Sequence, residues 1–562
     1  MTKKALLFLF SLSLSAGLMA QPYVYNWGAY FGGIGEDVIR AISVDDDGNT
    51  YTTGYFTDNS DFDPGSGEIE LTSNGFYDIF IQKLDTDGNA VWAKSYGSEF
   101  FDYGTGIETD GDGNIYVTGV IQETVDFNPE GEPFELTSAG SEDIFVLKLS
   151  PDGDFLWAGR MGGEGYEEPT SIGIDANGAM YVTGYFSQPG DFDPGETEYE
   201  LTSNGGQDGF IVKLDGSGSF QWAYNFGGTE QLLPLGMDVN DFGDVFLTGP
   251  FQGTVDFDPG EGEEILELDS GQGGFVLKLN AAGEFGYAVA FGGDQNDTPW
   301  DIAIDSQGNA YSAGGFRGEF VAGNTSLTSV DFNEEAFVVK VNPIGGVDWA
   351  KAIQGDDFQN AYDVNTDQSG NVFLAGYFSG TADFNPNEGE TLEFTKESTE
   401  PFDAFYAVLN SDGNFVHAGQ FGGSNFLDHH GVDTDADGNI YLGAAFQQTV
   451  DLNPDPEETA NATVVAFRDS YVVKLSPDDF VGVDYYANAP ELSVFPNPAA
   501  DVLNIDVPNG NSTYSIRDMA GREVGRGIQN SAKLLRISVS DLAPGAYVIL
   551  VDGFAPVKWI KK

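Results

Sequence analysis

Six short loops pair oxygen-bearing side chains two residues apart: Asp61 with Asp63, Asp126 with Asn128, Asp191 with Asp193, Asp256 with Asp258, Asp383 with Asn385, and Asp451 with Asn453. Each pair flanks a Phe, or Leu in the last copy, and precedes a Pro, giving D-F-D/N-P. Alternate residues of an extended chain share a face, so both oxygens of a pair can point one way. Completed by backbone carbonyls and a neighbouring Glu, such a pair suits Ca²⁺, which takes about six to eight oxygen ligands. The same pattern describes an Asx-turn, with Pro fixing the corner and Phe plugging a sheet interface. A motif repeated this often points to the scaffold, because an active site breaks symmetry. Asp433, Asp435 and Asp437 before Gly438 also begin like a calcium loop, but Ala444 stands at the position that calls for a bidentate Glu. Asp-Gly and Gly-Asn are equally the residues of tight hairpin turns, where positive φ is needed.

Three histidines are present, His417, His429 and His430. His417 takes a slot held elsewhere by Trp and reads as packed. His429 and His430, next to Asp428, are the most asymmetric feature, and imidazoles there could serve metal or acid–base chemistry. Neighbours on an extended loop point apart, which argues against a joint catalytic role. There is no Cys, so disulfides, thiolate metal sites and Cys nucleophiles are excluded. No H-E-x-x-H, G-x-S-x-G, P-loop or dinucleotide fingerprint has a supporting context. The expectation is a binding protein rather than an enzyme, with no catalytic residue assigned.

The elements that position these loops recur. Segments such as DDDGNTYTTGYF, DGDGNIYVTGV and DADGNIYLGAAF contain Gly48, Gly113, Gly178, Gly243, Gly308, Gly370 and Gly438, spaced 65, 65, 65, 65, 62 and 68 residues apart. An F-x-x-K-L element keeps step at Lys83, Lys148, Lys213, Lys278, Lys340 and Lys474, and the sixth copy, FYAVL, lacks the Lys. A W-A-x-x-x-G-G element falls at Trp27, Trp92, Trp157, Trp222, Tyr287, Trp349 and His417, one element ahead of the rest. Each unit reads as four strands, in the first copy Val38–Val44, Thr50–Phe56, Asp78–Leu84 and Ala90–Tyr96. Seven four-stranded units predict an all-β fold, a seven-bladed β-propeller over 21–482. The offset predicts closure by an N-terminal strand near Val24–Phe31, which supplies the strand missing from the last blade and removes an open edge. The motif set resembles the SBBP-type β-propeller repeat of bacterial secreted proteins. That resemblance implies architecture and an extracellular location, and no general activity. The fifth unit departs most, with FRGEFVAGNTSLTS in place of the D-F-D-P loop.

Met1–Ala20 pairs Lys3 and Lys4 with a short apolar run, the pattern of a secretory signal peptide. No later stretch is apolar for long enough to cross a membrane as a helix. The formal net charge is −67, from 90 acidic and 23 basic residues. Such a charge argues against nucleic acid and anionic membranes as partners, and a monomer is expected. Acidity is uneven: Glu491–Lys562, beyond a linker at 483–490, is close to neutral. This tail alternates strand-like runs with Gly/Pro turns, predicting a small Ig-like antiparallel β-sandwich. Pro496-Asn497-Pro498, Gly521 with Arg522, Leu542 with Pro544-Gly545, Tyr547 and the basic end resemble the C-terminal sorting domain of the type IX secretion system. That resemblance implies a Bacteroidota-type host, the type IX machinery as partner through 491–562, and a product released or attached to the outer cell surface. A secreted or surface module for protein or glycan is therefore expected, with a propeller-based polysaccharide hydrolase or lyase, or a calcium-loaded structural surface protein, as alternatives.

Overall fold

The computed structural model describes residues 23–562 except 261, 269–270, 388, 390, 397–400, 423–429, 457, 478–492, 496–501, 507–510, 519–522, 531–533, 541, 543–544 and 552–556. The signal segment 1–20, the linker 483–490 and His429 lie outside the described residues. The chain divides into two units: Tyr25–Ser476, and Pro477–Lys562 together with Met1–Val24. The described residues are all-β, with no α-helix among them and one short 3-10 turn at Val330–Phe332.

In the larger unit the strands form antiparallel meanders of four in chain order. The first is Asp37–Val44, Thr50–Phe56, Asp78–Leu84 and Ala90–Tyr96. Second and third strands of each meander are buried almost throughout, as in TYTTGYF and DIFIQKL, which explains their continuous apolar runs. Fourth strands alternate between exposed and covered residues, as in Ala90–Tyr96. The last meander runs His430–Thr434, Ile440–Phe446 and Asp469–Pro477, and its fourth strand is Tyr23–Gly33. The chain's beginning thus pairs with the sheet holding Lys474, as the offset predicts. Asn26 Nδ2 donates to Ser476 Oγ at 2.6 Å, and the Trp27 and Tyr441 rings lie 6.2 Å apart.

Neighbouring meanders are fastened by repeated side chains. Lys148 Nζ sits 4.5 Å from the Tyr116 ring centroid and donates to Gly216 O, 68 residues on. Lys83, Lys213 and Lys340 do the same toward Pro151, Ala281 and Ser411. First strands pack in sequence, Asp37–Val44 on Tyr103–Thr109 and so on to His430–Thr434, which returns to Asp37–Val44. That return is held by Val44 N donating to Asp433 Oδ2 at 2.7 Å and Ile39 N to Ser470 Oγ at 2.9 Å.

The tail unit holds two antiparallel sheets. One orders Ser493–Phe495, Val502–Asp506 and Leu534–Ser538; the other orders Glu523–Asn530, Asn511–Asp518, Gly545–Val551 and Val557–Lys561. Leu503, Ile505 and Ile537 from the first meet Ile516, Tyr547 and Ile549 from the second in one core.

Candidate functional site

The D-F-D/N-P loops form separate short hairpins. In each, the first Asp turns back on its own loop: Asp61 Oδ1 accepts from Asp63 N at 3.0 Å and Ile69 N at 2.9 Å, and Asp126 Oδ1 from Asn128 N at 2.9 Å and Phe134 N at 2.8 Å. Asp191, Asp256, Asp383 and Asp451 repeat the pair of bonds. The second residue does likewise, Asp63, Asp193 and Asp258 accepting from Gly65, Gly195 and Gly260, and Asn385 and Asn453 from Asn387 and Asp455; Asn128 instead donates to Glu132 O. The intervening Phe packs on the third strand, with centroid distances of 5.0, 5.1, 4.9, 5.0 and 5.0 Å for Phe62, Phe127, Phe192, Phe257 and Phe384. In the fifth unit a hairpin of Glu319–Ala322 and Thr325–Thr328 presents Phe320 at 4.8 Å from Phe337, so the plug survives without the motif. Among the described residues, no group of three or more His, Asp or Glu is placed to hold a metal ion. His417 is half-buried against Tyr406 at 5.6 Å, and desolvation lowers its pKa to about 4. His430 heads its strand as the backbone partner of Ala444.

A different site emerges where the first strands face one another. They enclose a cavity of about 670 Å³ lined by residues from all of them. Five of these strands carry a β-bulge, and the residue each bulge sets apart is Arg40, Thr105, Thr170, Trp300 or Tyr362. All five line the cavity. A bulge adds a residue to one strand and re-aims its side chain, so the same backbone device, repeated, places five different side chains around one opening.

One tier of the cavity is aromatic and charged. Tyr103 and Tyr166 both donate to Glu168 Oε2, at 2.7 and 2.8 Å, and Arg40 Nη1 lies 3.7 Å from Glu168 Oε1. The Arg40 guanidinium sits over the Tyr103 ring at 4.3 Å and reaches Tyr55 at 5.5 Å. Burial raises the pKa of Glu168, against the opposing pull of the Tyr103 hydrogen bond and Arg40. Burial and the adjacent carboxylate keep both tyrosines protonated and donating. Trp300 and Tyr362 form a tilted pair with centroids 5.3 Å apart.

The second tier is acidic. Asp238, Asp301, Asp363 and Asp433 each accept a backbone N–H from the next first strand: Ile304 N at 2.8 Å, Val364 N at 3.1 Å, Val432 N at 3.1 Å and Val44 N at 2.7 Å. Glu108 accepts from Ser43 Oγ at 3.3 Å. Burial raises Asp238 to about 6 and Asp433 to about 7, and drives Glu108 well up. Burial also raises Asp301 to about 6, and Asp363, hydrogen-bonded to it, well above the carboxylate range. These acids fasten strand to strand while lining the cavity floor. Sequence reasoning missed both tiers. The available signal is the repeat register itself: Ser43, Glu108, Gly173, Asp238, Ala303, Asn365 and Asp433 occupy one position of the repeat and share no residue type pattern.

Comparison with known proteins adds little for the larger unit. An uncharacterized WD repeat-containing protein of Acanthamoeba polyphaga mimivirus is 23% identical over 81% of this chain and 38% of its own length. The regulatory protein FlaEY of Caulobacter vibrioides is 27% identical over 20% of this chain and 12% of its own length. The chain therefore spans well under half of either relative. Among solved structures, a europium-containing methanol dehydrogenase aligns with TM-score 0.34 at 11% identity, covering 81% of this chain and 93% of its own. PorZ, described as a bacterial surface component of the type-IX secretion system of Porphyromonas gingivalis, aligns with TM-score 0.20 at 9% identity over 95% of this chain and 100% of its own. No helix of the described residues is long and apolar enough to cross a membrane. The tail is decisive: residues 493–562 match the secretion system C-terminal sorting domain family, so the chain carries a type IX sorting signal and belongs with secreted or cell-surface proteins.

Proposed function

We propose that the larger unit is a seven-bladed β-propeller of SBBP-type repeats, closed by its N-terminal strand, and that it serves outside the cell as a non-enzymatic binding or adhesion module for glycan or protein. The reading includes a signal peptide at 1–20, a Bacteroidota-type host and an Ig-like sandwich for the tail. One observation carries the binding role: the first strands, packed in a cycle, surround a cavity whose bulged residues differ from repeat to repeat. Scaffold positions repeat and ligand positions diverge, and about 670 Å³ is within the range of small-ligand sites. The hydrolase or lyase reading draws on the neighbouring carboxyl groups of Asp301 and Asp363, whose pKa values burial raises. Screening the full chain on a glycan array and in a reducing-sugar release assay separates the two. Retention without release supports the binding module, and release lost in Asp363→Asn overturns it. Calcium at the six D-F-D/N-P loops is a separate proposal, drawing on the chain's acidity; melting with Ca²⁺ and with EDTA tests it, and identical curves end it.

A further inference from the structure

Exposed aromatic side chains lead toward the cavity from one side. Phe76 and Phe101 stack with centroids 5.0 Å apart and planes 12° apart, and they are 59% and 36% exposed. Tyr77 meets Phe101 edge-on at 5.1 Å and stacks on Tyr55 at 4.2 Å. Tyr55 in turn lies under Arg40, whose guanidinium covers Tyr103. The series thus runs ring to ring from solvent to the Arg40–Glu168 pair in the cavity lining. It depends on particular residues of the first two repeats: the repeat places Glu142 and Gln207 where Tyr77 stands, and Ser141 and Gly206 where Phe76 stands. Scaffold packing does not require Tyr77, because the second and third repeats fold with Glu142 and Gln207 in its place; in the sixth copy Phe402 takes that position and meets Phe358 at 5.0 Å and Tyr377 at 6.5 Å. Large exposed aromatic groups in a contiguous patch mark an interaction surface.

Building on the binding-module reading, we propose that this aromatic track and the cavity mouth form one site for the end of a neutral oligosaccharide, with sugar rings stacking along Phe76, Phe101 and the Trp300–Tyr362 pair, and hydroxyl groups meeting Arg40 and Glu168. Sugar rings combine an apolar C–H face with equatorial hydroxyls, so their binding needs flat aromatic faces beside paired donors and acceptors. The Arg40 and Glu168 side chains keep 20% and 12% of their surface exposed and supply the donor and the acceptor. The chain's formal net charge of −67 disfavours an anionic sugar by repulsion. Arg40 at the entrance disfavours a cationic one. The ring series is longer than a single sugar, which points to a chain entering by its end.

The test uses the full chain and neutral hexasaccharides of glucose, xylose and mannose, their disaccharides, and a uronic-acid hexasaccharide, read by calorimetry and tryptophan fluorescence. At least one neutral hexasaccharide is expected to bind and the uronic-acid chain is not. Trp300→Ala should weaken binding about tenfold or more, as expected for loss of one well-packed aromatic contact, with Trp300→Phe partly restoring it. Phe76→Ala should weaken the hexasaccharide and leave the disaccharide unchanged, a split that a folding defect would not give. Neutral binding untouched by Trp300→Ala, Arg40→Ala and Phe76→Ala overturns this site while leaving the glycan-binding module standing. Failure of every neutral sugar, with capture of the uronic-acid chain or of a protein instead, overturns the site's ligand class. A full chain that binds no glycan or protein on arrays overturns the module itself.

Discussion

At the residue scale, the repeat is held by contacts that leave room for one residue type. Gly88 has φ of +79° and turns the chain under Trp27, whose ring would lie 2.7 Å from an added Cβ. Gly153, Gly218, Gly283, Gly345 and Gly413 meet Trp92, Trp157, Trp222, Tyr287 and Trp349 in the same way. The turn therefore needs glycine twice over, for its backbone angle and for the aromatic side chain laid on it from the preceding sheet. Gly88→Ala is expected to lower the urea midpoint, by about 1–3 kcal/mol in stability. Gly111→Ala, where no atom lies within 4 Å and φ is not positive, should change it little. Equal effects would show that the Trp27 contact does not limit the turn. The same scale explains what the sequence concealed. Gly88 and Trp27 both recur and were legible as a turn and as core. Arg40, Thr105, Thr170, Trp300 and Tyr362 share only a place in the repeat, and nothing in composition or spacing distinguishes a bulged position from its neighbours. Trp300 sits outside the W-A-x-x-x-G-G series, which was a hint, but its exposure to a cavity follows from strand packing.

At the element scale, hairpins and strands are set by carboxylates that satisfy backbone donors. Asp126 accepts from two loop amides, at 2.9 and 2.8 Å, while Phe127 behind it fills the sheet interface. Removing the acceptor leaves both amides without their protein partner, so Asp126→Ala is expected to cost about 1–3 kcal/mol. The loss should be the same in EDTA and in Ca²⁺, as judged by thermal melts. A loss seen only with Ca²⁺ would assign the oxygens to an ion. The strands themselves were legible from period and turn residues because four-stranded meanders impose both on the chain. The pairing of the first strand was legible for another reason: the W-A-x-x-x-G-G series begins one element early, and Tyr23–Gly33 does pair beside Asp469–Pro477. Deleting Tyr23–Gly33 exposes the edge of Asp469–Pro477, a row of unpaired donors and acceptors. That truncation is expected to melt earlier and to associate in gel filtration, and a monomer of unchanged melting temperature would remove the closing role from this strand.

At the scale of the whole molecule, charge and burial act together. Burial raises the pKa of Asp37, Asp297, Glu167, Glu335 and Asp433 to about 7 and of Asp78, Asp238, Asp301 and Asp469 to about 6. In the unfolded chain these groups titrate near 4. The folded protein therefore binds more protons than the unfolded one between about pH 4 and 7. A raised carboxyl contributes stability that is fully present below its unfolded pKa and is lost as pH rises through its folded pKa. Lowering the pH from 8 to 5 should thus stabilise the larger unit, and it also relieves repulsion among the many acidic groups of a chain with formal charge −67. Two contributions oppose this. His417, held near 4 by burial, loses stability as pH falls below its unfolded value of 6.5. The turn carboxylates Asp85, Asp110 and Asp215, lowered chiefly by hydrogen bonds from their own turns, lose theirs below about pH 4. One histidine is outweighed by nine carboxyls, so the melting temperature should climb from pH 8 to a maximum near pH 5 and fall again below 4. The climb should persist at high salt, which screens surface repulsion and leaves buried groups largely unaffected. A melting temperature that falls steadily from pH 8 to 5 would mean that these carboxyls reach water, and that the interfaces between neighbouring sheets are open.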